Sequence, residues 1–511
     1  MEQVEFNTQD FCINAGIVGL FTMIENNDDK RVCEIKESTL KIDKEYMLNT
    51  DFAELYFNAL INKYKNNCPL TKTIIKLESL LEKDLEQKEL KEELKAIETA
   101  LNSNRYKSGY EIVKNKLSFD WNNDLQNLKK STIDNYKDNI KIILNDLANN
   151  DLKEIFLIKD VSYFVVNNFW EDVSFLNTSN SKKAPKEEFR KYFEEPLKDY
   201  LSKETKGNEF CAECGSRISG NSKIKSSYVR TLTEDFARKN SNYWNFKPNC
   251  YICPKCNFLF SLIPLGFSSY NNSFIFINQN DSVNTLINTN DDIFSNEDLR
   301  SYQKFNEMIN KIAEKNLEKL SNIEVITNLG KEEGYDFNII SRNILLKIKH
   351  NFKRLEYLSK KSAIKSKQEY LNVYNETMRR ILNNYSLYPL INELMLLSLE
   401  DETKYASSSC YALLKIEGGV KMQYEDVIEI GKKYRKGLDN ENKIKELVFQ
   451  MLDMIKMEKA DDLFDLIANL SNITGEKIPE ELYEILIDNK KLKLIGYAFV
   501  IGFRNGDGNN E

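Results

Sequence analysis

The sequence predicts a mostly helical α+β protein, with a mixed α/β N-terminal region, an inserted four-cysteine zinc module and a C-terminal helical bundle. Three observations predict it. Only eight prolines and 18 glycines occur in 511 residues, which favours long helices over a loop-rich or all-β chain. Apolar residues recur with helical period through the C-terminal part. Two Cys-x-x-Cys pairs stand in an otherwise ordinary composition of 30% charged and 41% hydrophobic residues. A chain of 511 residues exceeds one core, and roughly 150 residues per domain gives about two to four domains. The boundaries read from composition are an N-terminal α+β domain at 1–176 with 261–296 returning to it, a basic loop and zinc-binding insertion at 177–260, a basic helical connector at 297–379, and a bundle at 380–511.

Each element has its own signal. Residues 10–25 read as a short apolar helix whose Gly16 and Gly19 cost propensity, so something packs closely against them. Residues 32–42 alternate and predict a hairpin through Ser38. Residues 50–65 form a helix with Phe52, Leu55, Tyr56 and Ala59 on one face. From Thr73 to Leu101 the apolar residues Ile74, Leu77, Leu81, Leu85, Leu94, Ile97 and Leu101 predict one long amphipathic helix. A second helical stretch covers 125–150, and the apolar runs from Ile155 to Val161 and Phe164 to Val166 suit strands. Phe260 to Phe267 and Ser273 to Ile277 read as a return into a buried sheet. From about 297 the pattern is wholly helical, with helices over 300–320, 342–358, 363–385, 389–400, 406–416, 424–437, 442–457, 460–470, 480–488 and 491–503. The bundle core is expected to hold Ile391, Leu394, Leu397, Leu413, Leu447, Leu452, Leu463, Leu466 and Leu470.

The chemistry concentrates in the cysteines. Cys211-Ala212-Glu213-Cys214 and Cys253-Pro254-Lys255-Cys256, with 38 residues between the pairs, supply the four thiolates that a closed, structural Zn²⁺ site needs. Gly215 permits the turn behind the first pair, and Phe258, Leu259 and Phe260 are placed to pack beneath the metal. Cys250 lies three residues before Cys253 and offers an alternative second pair, although Pro254-Lys255 makes the more compact turn. Four reduced, buried thiols without metal are the plain alternative. No thioredoxin-like βαβ context surrounds either pair, which argues against a redox role. Nine cysteines, four of them in metal-type spacing, point to a reducing compartment. No leader and no apolar run of membrane-spanning length occurs, so a cytoplasmic location without membrane contact is expected.

Absences narrow the function. His350 is the single histidine, so neither a Ser-His-Asp hydrolase, a zinc protease nor a His-Asp nuclease can be assembled. Neither G-x-x-x-x-G-K-[ST] nor G-x-G-x-x-G at a helix start occurs. Carboxylate-only catalysis remains open, although no pair stands out among the 79 Asp and Glu.

Charge is uneven beneath the net −7. From Ile339 to Arg380 eleven Lys and Arg face three acids, and from Lys182 to Phe260 sixteen face ten, whereas Met378 to Glu511 carries eighteen against twenty-three. Such asymmetry suits a protein that meets phosphates on part of its surface; a solvated helical face is the bland alternative. Candidate nucleic-acid contacts are Asn180, Lys182 and Lys183 on a polar loop, Lys223 and Lys225 in the insert between the cysteine pairs, and Lys347, Lys349, Lys353 and Arg354 on a basic helix.

The cysteine pairs, the opening Ile13-Asn14-Ala15-Gly16-Ile17-Val18-Gly19-Leu20 and the closing Ile495-Gly496-Tyr497-Ala498-Phe499-Val500-Ile501-Gly502-Phe503 together resemble the CXXC–CXXC large subunit of type I-B CRISPR surveillance (Cascade) complexes. The resemblance implies a non-catalytic subunit near the crRNA 5′ handle that inspects the protospacer-adjacent motif (PAM) in target double-stranded DNA and helps the strands part. Its implied partners are the crRNA, the target DNA, the backbone and handle-binding subunits, and a separate helicase-nuclease. It also implies a bundle equivalent to the complex's small subunit, for which Met378 and Met395 are candidate internal starts. A free-standing zinc-ribbon nucleic-acid-binding protein is the competing reading.

Overall fold

In a computed structural model the described residues are 2–27, 29–83, 86–170, 174–203, 207–225, 251–270, 273–291, 323–330, 334–361, 363–366, 369–399, 406–418, 423–438 and 440–505. The fold is mostly helical with small sheets, and it divides into two compact units. The first comprises Met1–Ser295 and Ile323–Phe337, the second Asn296–Asn322 and Asn338–Glu511. The boundaries drawn from composition at 177, 261 and 380 fall inside these units.

The first unit opens with strands β1 (Gln3–Asn7), β2 (Cys33–Lys36) and β3 (Thr39–Asp43), antiparallel in the order β1-β3-β2. Lys36 pairs with Thr39, which leaves Glu37 and Ser38 as a two-residue turn, and Glu37 takes the positive φ of 44° that such turns require. The Phe11–Glu25 helix is capped by Asp10, whose carboxylate accepts from the amides of Cys12 and Ile13. Its glycines do face a close neighbour: a Cβ at Gly16 would lie 2.6 Å from the Leu259 carbonyl oxygen, and one at Gly19 only 2.2 Å from that of Leu262. The opposing Gly266 has the reciprocal relation, 2.1 Å from the Ala15 carbonyl. Two backbones thus touch where only glycine fits.

Three expectations in this unit are corrected. The run 73–101 is two helices, Pro69–Leu81 and Gln87–Leu101. Lys76 and Glu93 form an ion pair although one straight helix would hold residues 17 apart about 25 Å from each other, so the chain reverses between them. The apolar runs at 155–161 and 164–166 are not strands: the first lies in the Asn150–Phe164 helix, and the second spans its end and the 3-10 turn Val166–Asn168. That helix is buried on all sides, with Leu152, Ile155, Phe156, Ile158 and Val161 inside, so no polar face marks its period. Phe260 to Phe267 is likewise helical, in Pro254–Ser261 and Ile263–Gly266, and the sheet resumes only at β8 (Ser268–Tyr270) and β9 (Ser273–Asn278).

Residues beyond 297 are not wholly helical. Strands β10 (Ile323–Asn328) and β11 (Tyr335–Ile340) complete a sheet of order β11-β10-β9-β8, in which Val325 pairs with Ile277. The expected helix over 363–385 begins as a hairpin of Ile364–Ser366 with Glu369–Leu371, and only Val373–Leu382 is helical. The expected helix at 300–320 lies outside the described residues.

The second unit is a helical bundle built around Asn489–Asn505, whose residues from Ile495 to Phe503 are all buried. It crosses Gln423–Lys436 through Gly431 and Gly502: a Cβ at Gly502 would sit 1.9 Å from the Ile428 carbonyl oxygen. Ile391, Leu394, Leu397, Leu413, Leu452, Leu463 and Leu470 are buried as expected. Leu447 and Leu466 are only half-buried; Val448 and Ile467, one position on, take the core. Among the described residues no helix is long and apolar enough to cross a membrane.

Candidate metal centre

The two cysteine pairs reach one point by different local routes. The first sits on a minimal hairpin of β4 (Glu209–Phe210) and β5 (Arg217–Ile218). Between the strands the Cys211 amide donates to Ser216 O at 2.8 Å and the Gly215 amide to Cys211 O at 3.0 Å. Gly215 takes φ 68°, the left-handed conformation expected of it. The second pair follows β7 (Tyr251–Ile252), which runs antiparallel to β6 (Ile224–Lys225). Cys253 then caps the Pro254–Ser261 helix, its Sγ accepting from the Cys256 amide at 3.4 Å, with Pro254 in the first turn where no amide is needed. Two further hydrogen bonds tie the pairs together. The Ala212 amide donates to Tyr251 O at 3.0 Å, and the Cys253 amide to Cys211 Sγ at 3.2 Å.

The four Sγ atoms of Cys211, Cys214, Cys253 and Cys256 all lie within 4.8 Å of one another, and Cys214 and Cys253 are 3.6 Å apart. A tetrahedral ion with metal–sulfur bonds of about 2.3 Å places its ligands about 3.8 Å apart, so the donor set fits. All four are free thiols, and Cys211, Cys253 and Cys256 are buried. Hydrogen bonds from Cys211, Cys253 and Cys256 hold the Cys214 thiol far below the ordinary range, while Cys211 and Cys214 push Cys256 far above it. Cys211 is lowered as well, to about 6, while Cys253 is held far above the ordinary range with Cys256; a cation at the centre is what lets all four ionise. Burial, with Asp10 and the cysteines, pushes the intervening Glu213 up to about 7. Cys250, the alternative ligand, lies outside the described residues.

The centre is fastened to the rest of its unit. Phe258, Leu259 and Phe260 are buried as expected, with the Phe258 ring 5.0 Å from that of Phe52. Lys255 reaches back to β1, donating to Glu5 O at 3.1 Å. Farther along, the Tyr64 hydroxyl donates to Pro264 O and Phe267 O at 2.8 and 2.6 Å.

The candidate nucleic-acid residues fare unequally. The loop holding Asn180, Lys182 and Lys183 is ordered by its own bonds: the Asn180 amide side chain donates to Ser174 O at 3.0 Å, and buried Lys159 donates to Ser181 O at 2.7 Å. Lys182 is exposed, and Lys183 lies 3.5 Å from Glu188. Lys223 is already paired with Glu209 at 2.9 Å and lies over the Tyr251 ring. Lys225 lies in β6 opposite Tyr251, and its side chain is outside the described set. On the basic helix, Lys347 is bound to Glu417 at 3.0 Å and Arg354 donates to Asn351 at 2.7 Å, whereas Lys349 and Lys353 are exposed. Asn180, Lys182, Lys183, Lys223 and Lys225 belong to the first unit, and Lys347, Lys349, Lys353 and Arg354 to the second. Two residues beside the metal centre escaped sequence reasoning: Phe210, 61% exposed, and its cross-strand neighbour Arg217. A phenylalanine before a buried cysteine reads as core, and only the hairpin register turns it outward.

This four-thiol hairpin-and-helix centre is of the kind that clamps a small structural module. Residues 204–268, which contain it whole, match the family described as CRISPR-associated protein (Cas_CXXC_CXXC). The chain thus carries a CRISPR-associated CXXC–CXXC domain set into a larger helical protein. No curated protein and no solved structure matches the chain.

Proposed function

We propose that this chain is the non-catalytic large subunit of a type I-B CRISPR RNA-guided surveillance complex, in which a structural Zn²⁺ held by Cys211, Cys214, Cys253 and Cys256 clamps the CXXC–CXXC domain. The observation that carries this is the convergence of the four thiols inside the segment matching the CRISPR-associated family. Zinc is the ion assigned because four thiolates in a closed, buried tetrahedral set suit it, and a reducing cytoplasm keeps the thiols available. The two other family-like segments supply support of a different kind: both are core helices whose glycines let backbones touch, so their sequences answer to packing at fixed points of the fold.

In this role the subunit sits near the crRNA 5′ handle, inspects the PAM in duplex DNA, promotes strand separation and helps recruit the helicase-nuclease. Exposed Lys182, Lys349 and Lys353 are the cations best placed for phosphate contact, because Lys223 and Lys347 are neutralised by Glu209 and Glu417. Affinity purification of the tagged chain from its native cells tests the proposal. A ribonucleoprotein containing a guide RNA and several copies of a backbone subunit is expected; the chain recovered without RNA, yet binding DNA tightly by itself, would instead support the free-standing zinc-ribbon reading.

A further inference from the structure

Phe210 and Arg217 face each other across the β4–β5 hairpin, Phe210 directly before Cys211 and Arg217 three residues after Cys214. Directly opposed side chains on an antiparallel pair stand about 5 Å apart and share a face. Phe210 is 61% exposed beside buried Cys211, and Ile218, on the other face of the same hairpin, is 1% exposed. The hairpin therefore has a core side and an outer side, and the outer side carries both an aromatic and a guanidinium side chain. Arg217 is exposed and makes no ion pair among the described residues, in contrast to Lys223 close by in the chain, which Glu209 neutralises. Its backbone is held: the Tyr200 hydroxyl donates to Arg217 O at 3.1 Å, and the Cys211–Ser216 bond closes the hairpin end. The two side chains are thus displayed on a backbone that the four thiols and these bonds fix.

We propose that Phe210 and Arg217 form a platform for an unpaired nucleotide of single-stranded nucleic acid, with the base stacked on the Phe210 ring and the flanking phosphate on Arg217. A flat apolar ring accepts any base, and an arginine on the same face of the hairpin, with no carboxylate partner among the described residues, favours an anionic partner over an apolar peptide. The surrounding segment from Lys182 to Phe260 carries sixteen basic against ten acidic residues, which supports the same sign of partner. Stacking requires the base to be out of a duplex, so the platform takes single strands and not paired DNA. This inference rests on the reading that the chain binds nucleic acid and goes beyond it by naming the strand state and the two residues.

Fluorescence anisotropy with the full-length chain, measuring binding of oligo(dT) and oligo(U) of 15 nucleotides and of a 15-base-pair duplex, tests it. Loss of one stacked base is expected to weaken binding of the single strands by about tenfold for Phe210→Ala, with little change for the duplex. Phe210→Trp should restore wild-type affinity, and Arg217→Gln should lower the slope of log affinity against log salt by about one. Thiol-bound metal content of each variant guards against a folding defect: a Phe210→Ala protein that has lost its metal is replaced by Phe210→Leu, which keeps bulk and removes the aromatic face. Single-strand affinity unchanged in Phe210→Ala or Phe210→Leu overturns the platform while leaving nucleic-acid binding standing. A wild-type chain that binds no oligonucleotide overturns both. Preference for dT over U, or the reverse, identifies whether DNA or RNA is the strand held.

Discussion

Replacing Gly19 by alanine sets two known effects against each other. In an exposed helix interior the change is favourable by about 1 kcal/mol, because alanine is the better helix former. Here the new methyl would lie 2.2 Å from the Leu262 carbonyl oxygen and 3.2 Å from the Gly266 amide, where ordinary contact begins at 3.4 Å. The Phe11–Glu25 helix would have to retreat by about 1 Å, and what it meets is backbone, which cannot swing aside as a side chain can. Overpacking of this kind costs roughly 1–3 kcal/mol even where side chains can yield, so the clash should exceed the propensity gain and leave a net loss of about 2 kcal/mol. Gly109→Ala is the internal control. Its methyl would come no nearer than 3.2 Å to the Phe156 ring, a small intrusion, and the result should fall within about 1 kcal/mol of zero. Urea unfolding of both variants, followed by the fluorescence of the first unit's tryptophans, reads the difference. If Gly19→Ala proves as stable as the parent, the close backbone approach does not exist and the account of this helix fails.

Other outcomes follow from the same geometry. Charge reversal at Lys182 should weaken binding of target duplex more than reversal at Lys223, whose charge is already met by Glu209; equal losses in a filter-binding titration would contradict the ranking. Lys159, 3% exposed, is driven by burial from 10.5 down to about 8, so the unfolded chain binds more protons between those values and stability should rise with pH across that window, by at most about 3 kcal/mol. In Lys159→Met the rise should vanish, and protease cleavage in the loop it holds at Ser181 should speed up. An internal start at Met378 would leave every helix from Tyr388 onward whole, whereas a start at Met395 would remove Leu390, Ile391 and Leu394 from the core. A C-terminal tag should therefore report a folded short product from Met378 if any, and a stable product from Met395 would be unexpected.

The four-cysteine cluster was legible because its spacing is local: each Cys-x-x-Cys closes on itself, and only the meeting of the two pairs needed the fold. The glycine ridge at Gly16 and Gly19 was legible as a debt in helix propensity, though not its partner 240 or so residues on. What sequence could not supply was periodicity where burial is all-round, as in Asn150–Phe164, where apolar residues cover every face and helix and strand look alike. The reversal after Leu81 was hidden because a charged stretch continues the amphipathic rhythm while the chain turns. Ion pairing was hidden for a different reason. Lys223 and Lys347 look like free cations until the fold brings Glu209 and Glu417 to them, and a residue 70 positions away leaves no local trace. The outward turn of Phe210 depends on the register of a hairpin only two residues deep, which is decided by the thiols and not by the strands.

That shallowness makes the two cysteine pairs unequal. From Cys256 to Phe267 every residue is buried, and the helices there press against Gly16 and Gly19, so the second pair is part of the core whether or not an ion is bound. The first pair stands on strands of two residues each, and a hairpin that short has little stability in water without a staple. Binding energy of the metal should therefore be felt mainly on residues 207–225. Cys211→Ser, or chelation of the full chain, is expected to raise amide exchange throughout that segment while the Phe11–Glu25 helix stays protected. Cys256→Ser should do more, because Cys256 opens the wholly buried run to Phe267 whose backbone meets Gly16 and Gly19, and the loss should reach the Phe11–Glu25 helix that packs on it. Hydrogen exchange read by mass spectrometry separates the cases. Uniform unfolding of the first unit by Cys211→Ser would mean that the metal carries the core, and equal, local effects of the two substitutions would mean that neither pair does.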